Sequence, residues 1–198
     1  MTAATTSATD DFQSSLKLIS AAVAAGINLI QLREKSLSAR VLYELTVRAV
    51  GLTRGSNTSL LVNDRADIAQ AAGAAGVHLT TSSLSPAVVR RCFGSLLIGV
   101  STHSLAQAAA GRAAGADFAV YGPVFETDSK RIYGAPIGLG RLAEVTTALR
   151  PFPIIALGGI TLANAADCVR AGARGIAGIS LFKRAEQLDQ IVKMVRAM

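Results

Sequence analysis

The most regular feature of the chain is an Ala-rich, helix-spaced stretch that ends at glycine and is followed by a short apolar run. It recurs at AAVAAGINLIQLR (21–33), AAGAAGVHL (71–79), RAAGADFAVYG (112–122) and VRAGARGIAGIS (169–180). Glycine suits the end of a helix because it adopts the left-handed conformation that closes the last turn, so each repeat reads as helix, stop, strand. Three further apolar runs, SLLVND (59–64), LLIGVS (96–101) and PIIALGG (153–159), read as strands. None alternates apolar with polar residues; continuous apolar strands belong to a parallel sheet covered by helices. Between them lie helical stretches such as SARVLYELTVRAVGL and SPAVVRRCF, the latter opened by Ser85 as N-cap with Pro86 behind it.

Seven strands alternating with helices need an eighth to close a barrel, and the N-terminal TTSAT (5–9) is the place left for it. The pattern therefore predicts an α/β fold, a single (β/α)₈ TIM barrel with a short or degenerate first strand, with an open doubly wound sheet as the alternative. It forms one domain over residues 10–198, preceded by a poorly ordered N-terminus, 1–9.

With 198 residues, 51% hydrophobic and 17% charged, the chain has ample material for a core. The formal charge is +7, but basic residues are scattered singly and there is no Trp, which argues against a nucleic-acid partner and for a site that takes small anions. Cys92 and Cys168 make neither a disulfide framework nor a Cys-x-x-Cys metal pattern, so a reducing cytoplasm is expected. Apolar runs are too short to span a bilayer and MTAATTSATDD has no signal-peptide pattern, so a soluble protein without a membrane partner is expected.

Polar residues collect where strands end: Gln31, Arg33 and Lys35; Asn63 and Asp64; His78; Ser101, Thr102 and His103; Gly158 and Gly159; Ser180. In parallel α/β folds these ends converge on one mouth. Thr102 and His103 are expected to be N-cap and first-turn residues of the next helix. Arg33, Lys35 and Lys130 at one mouth would repel each other unless an anion sat between them. The glycines of GGI (158–160) and GIS (178–180) let backbone N–H groups approach a phosphate, with a helix N-terminus expected behind them. In the loop VFETDSKRIYGAP (124–136), Thr127, Ser129 and Lys130 offer two hydroxyls and an ammonium to a second anionic group such as pyrophosphate, or are simply a solvated loop. Asp64, with Glu126 or Asp128, is a candidate Mg²⁺ site, since that ion takes one or two carboxylates plus substrate phosphates.

Taken in order, QLREK (31–35), VNDRADIA (62–69), GVHL (76–79), IGVSTHS (98–104), GADFAVYGPVFETDSK (115–130) and ALGGIT (156–161) resemble the thiamine phosphate synthase/TenI family of (β/α)₈ proteins over about residues 10–182. The resemblance implies a Mg²⁺-dependent transferase. It couples 4-amino-2-methyl-5-pyrimidinylmethyl diphosphate to a thiazole phosphate, giving thiamine phosphate and pyrophosphate. It further implies that Gln31, Arg33 and Lys35 grip the diphosphate beside Asn63, with Asp64 as a Mg²⁺ ligand. Ser101 and Lys130 contact the diphosphate substrate, and Thr127, Ser129, Gly159, Ile179 and Ser180 surround the thiazole phosphate. Arg33, Lys35 and Lys130 carry the catalytic charge. Assembly as a homo-oligomer is compatible with the sequence.

Two departures from the family pattern stand out. The loop after GVHL is TTSSLS (80–85), with Ser83 where a second Mg²⁺-binding Asp is expected, and the first strand is reduced to TTSATD, retaining Thr9 and Asp10. The FETD-type loop leans toward the TenI branch, a thiazole tautomerase, yet its proton-shuttling His would fall at Pro123. The resulting order is synthase first, tautomerase second, and a non-catalytic thiazole phosphate binder third.

Overall fold

The computed structural model describes residues 11–127 and 136–198. Its elements run α1 (Asp11–Ala24), β1 (Leu29–Leu32), α2 (Ala39–Thr53), β2 (Ser59–Asn63), α3 (Ala66–Ala72), β3 (Gly76–Leu79), α4 (Pro86–Cys92) and β4 (Leu97–Thr102). They continue with α5 (Leu105–Ala113), β5 (Phe118–Tyr121), α6 (Gly138–Ala148), β6 (Ile154–Leu157), α7 (Ala165–Arg170), β7 (Gly175–Ala177) and α8 (Leu188–Arg196). Each apolar run read as a strand is one. The strands form a single parallel sheet in chain order, β1 to β7.

Seven strands laid flat would span roughly 29 Å between their outer members. Instead β1 and β7 border the same cavity of about 520 Å³, through Leu29 and Gln31 on one side and Ile176 on the other, together with Leu61, His78 and Phe118. The sheet therefore curls toward closure in the manner of a TIM barrel. The doubly wound alternative fails on this point, because its strand order reverses and its faces are not inside and outside. Residues 5–9, where an eighth strand was expected, lie outside the described residues.

Curling divides the apolar side chains into two cores. Outside, Ile30, Leu60, Val62, Val77, Ile98 and Ile154 pack beneath the helices. Inside, Leu61, Phe118 and Val120 form a plug with Leu29, Leu97, Ile155 and Leu157 against it. Gly99 makes the plug possible, since a Cβ there would lie 2.3 Å from the Phe118 ring. A side chain at that position would evict the largest group in the interior.

Helix starts are fixed by side chains that satisfy otherwise orphaned N–H groups: Ser38 accepts from Val41, Ser85 from Val88 and Ser104 from Gln107. The last of these corrects an expectation. Thr102 ends β4 and is buried, and His103 precedes the cap, its N–H donating to Gln107 Oε1 (2.7 Å) and its Nδ1 meeting the Gly122 carbonyl. At the opposite end, Arg90 ties three segments together. Its guanidinium donates to the carbonyls of Gly94 (3.0 Å), Leu96 (2.8 Å) and Gly115 (2.9 Å) and to Asp117 Oδ2 (2.7 Å), which also accepts from the Ile98 N–H. No helix among the described residues is long and apolar enough to cross a membrane.

Candidate active site

Because all seven strands run the same way, the C-terminal ends of neighbouring strands share one rim. On β1, Gln31 points inward and is buried, Arg33 follows half-buried and Lys35 exposed. The Gln31 side-chain amide donates to Asn63 Oδ1 (2.9 Å) at the end of β2, fixing which way both amides face. Asp64 comes next, with φ 62°, the only non-glycine residue in the left-handed region among those described. Its N–H donates to the His78 carbonyl (2.9 Å), and its side chain is exposed. Strain of this kind costs roughly 1–3 kcal/mol and persists where the surroundings dictate it, commonly at functional sites.

Inside the rim, His78 Nε2 lies 2.9 Å from Ser101 Oγ, while His78 Nδ1 is buried without a hydrogen-bond partner. Burial, with a smaller contribution from the Arg33 guanidinium, pushes the imidazole pKa down to about 4, so the ring is neutral. This pairing was not foreseen from sequence, where His78 stood only as a strand-end polar residue. The register that sets His78 opposite Gly99, two residues before Ser101, is the signal that reveals it.

Across the rim, Gly158 and Gly159 have φ of 103° and 62°. A Cβ on Gly159 would fall 2.4 Å from the Glu126 carbonyl oxygen, and the Phe125 N–H donates to the Gly158 carbonyl (3.0 Å), so the segment ending at Thr127 is seated on this turn. Asn164 braces it from the other side, donating to the Gly159 carbonyl (3.0 Å) and accepting from the Thr161 N–H (2.8 Å). Among the described residues, the N–H groups of Gly159, Ile160, Ile179 and Ser180 make no hydrogen bond within the protein. Ile179 and Ser180 are exposed on the turn after β7. Open N–H groups of this kind form an anion cradle. The helix expected directly behind each turn is not what supplies it: α7 has six residues, and β7 is followed by a turn before the 3₁₀ segment Ala185–Gln187. Asp128, Ser129 and Lys130 lie outside the described residues.

For Mg²⁺ the donor set fits in a limited way. Among the described residues no three His, Cys, Asp or Glu side chains cluster as metal ligands. Mg²⁺ does not require such a cage, and the outward Asp64 carboxylate is suited to share it with substrate phosphate and water. Ser83 adds no carboxylate. Its Oγ accepts from the Thr80 N–H (2.8 Å) and meets Thr80 Oγ1 (3.0 Å), so the hydroxyl serves its own loop.

The family described as thiamine monophosphate synthase matches residues 3–182. A thiamine-phosphate synthase of Chloroflexus aurantiacus is 40% identical over 181 residues, 91% of this chain and 83% of that protein. One from Chlorobium luteolum is 39% identical over 190 residues, 96% and 89% respectively. Among solved structures, the thiamine phosphate pyrophosphorylase from Pyrococcus furiosus superposes with a TM-score of 0.78 at 31% identity, over 95% of this chain and 92% of that one.

Proposed function

We infer the chemistry of the rim from the premise that this chain belongs to the thiamine monophosphate synthase family. It is a thiamine phosphate synthase, a transferase that joins 4-amino-2-methyl-5-pyrimidinylmethyl diphosphate to a thiazole phosphate and releases pyrophosphate. The observation that carries this reading is the pairing, on one rim, of a cationic and amide side (Gln31, Arg33, Lys35, Asn63) with an open backbone cradle (Gly159, Ile179, Ser180). Two anionic substrates meet there.

In the reaction the bond between the pyrimidine methylene carbon and the diphosphate oxygen breaks, and its electron pair leaves with pyrophosphate. The lone pair of the thiazole nitrogen then forms the new carbon–nitrogen bond. Nothing in this sequence needs a protein nucleophile; what it needs is stabilisation of charge on the leaving group. On this reading Arg33, Lys35 and Lys130 supply that charge, with Gln31, Asn63 and Ser101 orienting the diphosphate substrate. Thr127, Ser129, Gly159, Ile179 and Ser180 hold the thiazole phosphate in position for attack. Asp64 would hold Mg²⁺, which when bound neutralises negative charge on the departing pyrophosphate.

The reading extends to the fold. Residues 5–9 complete the barrel as its eighth strand in the slot between β1 and β7, a proposal supported by the cavity those two strands share and by the start of α1 at Asp11. It also places the enzyme in the cytoplasm, in keeping with the free thiols of Cys92 and Cys168. A thiazole tautomerase would need a proton shuttle at the loop, but Pro123 has no ionisable group and is buried.

The test is to assay the purified protein with each substrate alone, with both, and with a thiazole phosphate tautomer. Pyrophosphate release that requires both substrates is expected. Thiazole isomerisation without any coupling would overturn the assignment.

A further inference from the structure

The interior histidine has a geometry that the roles above leave unused. His78 is 1% exposed, and its ring faces Phe118 at 6.2 Å between centroids, tilted by 45°. Its Nδ1 looks toward the Cα of Gly99 on the neighbouring strand: a Cβ built on that glycine would lie 2.9 Å from it. Only the other nitrogen, Nε2, has a polar neighbour, Ser101 Oγ at 2.9 Å.

A neutral imidazole carries one proton, and the two placements are not equivalent here. With the proton on Nδ1, a buried N–H donor would face C–H groups and forfeit its hydrogen bond entirely. With the proton on Nε2, the N–H donates to Ser101 Oγ and Nδ1 keeps a bare lone pair, which weakly polarised C–H groups oppose without repulsion. The second arrangement is preferred. Burial and the nearby Arg33 charge keep the doubly protonated form out of competition.

A hydroxyl that accepts from His78 keeps its own proton for another partner. Ser101 sits on β4 beside Val120, two residues nearer the rim than Gly99. We propose that His78, as the Nε2–H tautomer, is a positioning residue that fixes Ser101 as a hydrogen-bond donor toward the rim, where it meets a lone pair on the substrate. The lone pair belongs to a heteroaromatic nitrogen or a phosphate oxygen. This rests on the reading that Ser101 contacts the diphosphate substrate.

The experiment combines a double-mutant cycle with direct observation of the tautomer. Coupling rates are measured for wild type, His78→Leu, Ser101→Ala, the pair together, and His78→Gln, whose amide retains a donor. Nitrogen-15 NMR of the wild type reads which ring nitrogen is protonated, independently of whether any variant folds. Each single removal is expected to lower kcat/KM for the diphosphate substrate about tenfold, the scale of one hydrogen bond. The pair is expected to be no slower than Ser101→Ala alone, KM for the thiazole phosphate to stay unchanged, and His78→Gln to recover most of the rate. Protonated Nε2 and bare Nδ1 are expected in the spectrum. Losses that multiply, or a proton on Nδ1, would overturn the positioning role while leaving Ser101 as a contact. Wild-type kinetics in Ser101→Ala would overturn the contact and the positioning role together.

Discussion

His78 should make the fold acid-sensitive in a window that opens above the range in which carboxylates titrate. Its imidazole pKa is pushed from 6.5 down to about 4, first by burial and then by charge, Arg33 being the described charged residue that acts on it. An unfolded chain would bind a proton there near pH 6.5, whereas the native state resists it until near pH 4. Between those limits the unfolded state holds more protons, so stability is complete above the upper limit and falls as the pH drops. A gap of this size amounts to about 3 kcal/mol in full, of which roughly 2 kcal/mol develops between about pH 7 and about pH 4.5.

The measurement is urea unfolding of wild type and His78→Gln across that range. Subtracting one from the other removes the titration of carboxylates, which the two proteins share. The stability difference should be flat at neutral pH and move by roughly 2 kcal/mol against the wild type by about pH 4.5. A difference independent of pH would show that the ring titrates in the native state as it does in the unfolded chain. The tautomer argument would then lose its starting point.

Gly159→Ala should destabilise the protein by about 2 kcal/mol through its left-handed backbone and the 2.4 Å approach to Glu126 O, and weaken binding of the thiazole phosphate measured by calorimetry. Unaltered affinity would separate the turn from the anion cradle. Arg90→Met removes the guanidinium that joins α4 to the entrances of β4 and β5; with partly exposed partners the expected loss is about 1–3 kcal/mol in urea unfolding, with kcat unchanged because the strut lies away from the rim. Ser83→Asp should restore an anionic ligand, lowering the Mg²⁺ needed for half-maximal rate several-fold and tightening Mg²⁺ binding in titrations with substrate diphosphate. No change, or a rise in the Mg²⁺ needed for half-maximal rate, would count against Ser83 lying within the metal's reach.

The strands were legible because a barrel strand is apolar on both faces, which leaves runs such as GVHL and LLIGV unbroken in the sequence. The same property hides which face is which. Nothing in FAVY tells that Phe118 and Val120 fill the interior while Ala119 and Tyr121 face the helices; the curvature of the sheet decides it. His78 and Ser101 were each visible as polar residues near strand ends, but their contact depends on register across two strands. The start of α5 was readable and misread: Ser104 followed three residues later by Gln107 is a capping signature, and it displaces Thr102 and His103 from the roles expected of them. The roles of Ser129 and Lys130 rest on their residue types and the family pattern, and that of Asp128 on its carboxylate alone, since all three lie outside the described residues.

The sign of the site follows from where hydrogen bonds have already been made. Gln31 is hydrogen-bonded to Asn63 and His78 to Ser101, and the plug of Leu61, Phe118 and Val120 provides an apolar floor. One acceptor is occupied inside the first pair, where Asn63 Oδ1 takes a Gln31 proton, and in the proposed tautomer Ser101 Oγ takes the proton of His78. What the rim still offers is mostly donor: the Asn63 side-chain amide, the Ser101 hydroxyl, Arg33, Lys35 and the open N–H groups of Gly159, Ile179 and Ser180. The histidine stays neutral there because it is buried and because the Arg33 charge opposes a second proton on the ring. The formal charge of +7 therefore matters less than its placement, with Arg33 and Lys35 following β1 on the side of the rim where Gln31 and Asn63 are already hydrogen-bonded.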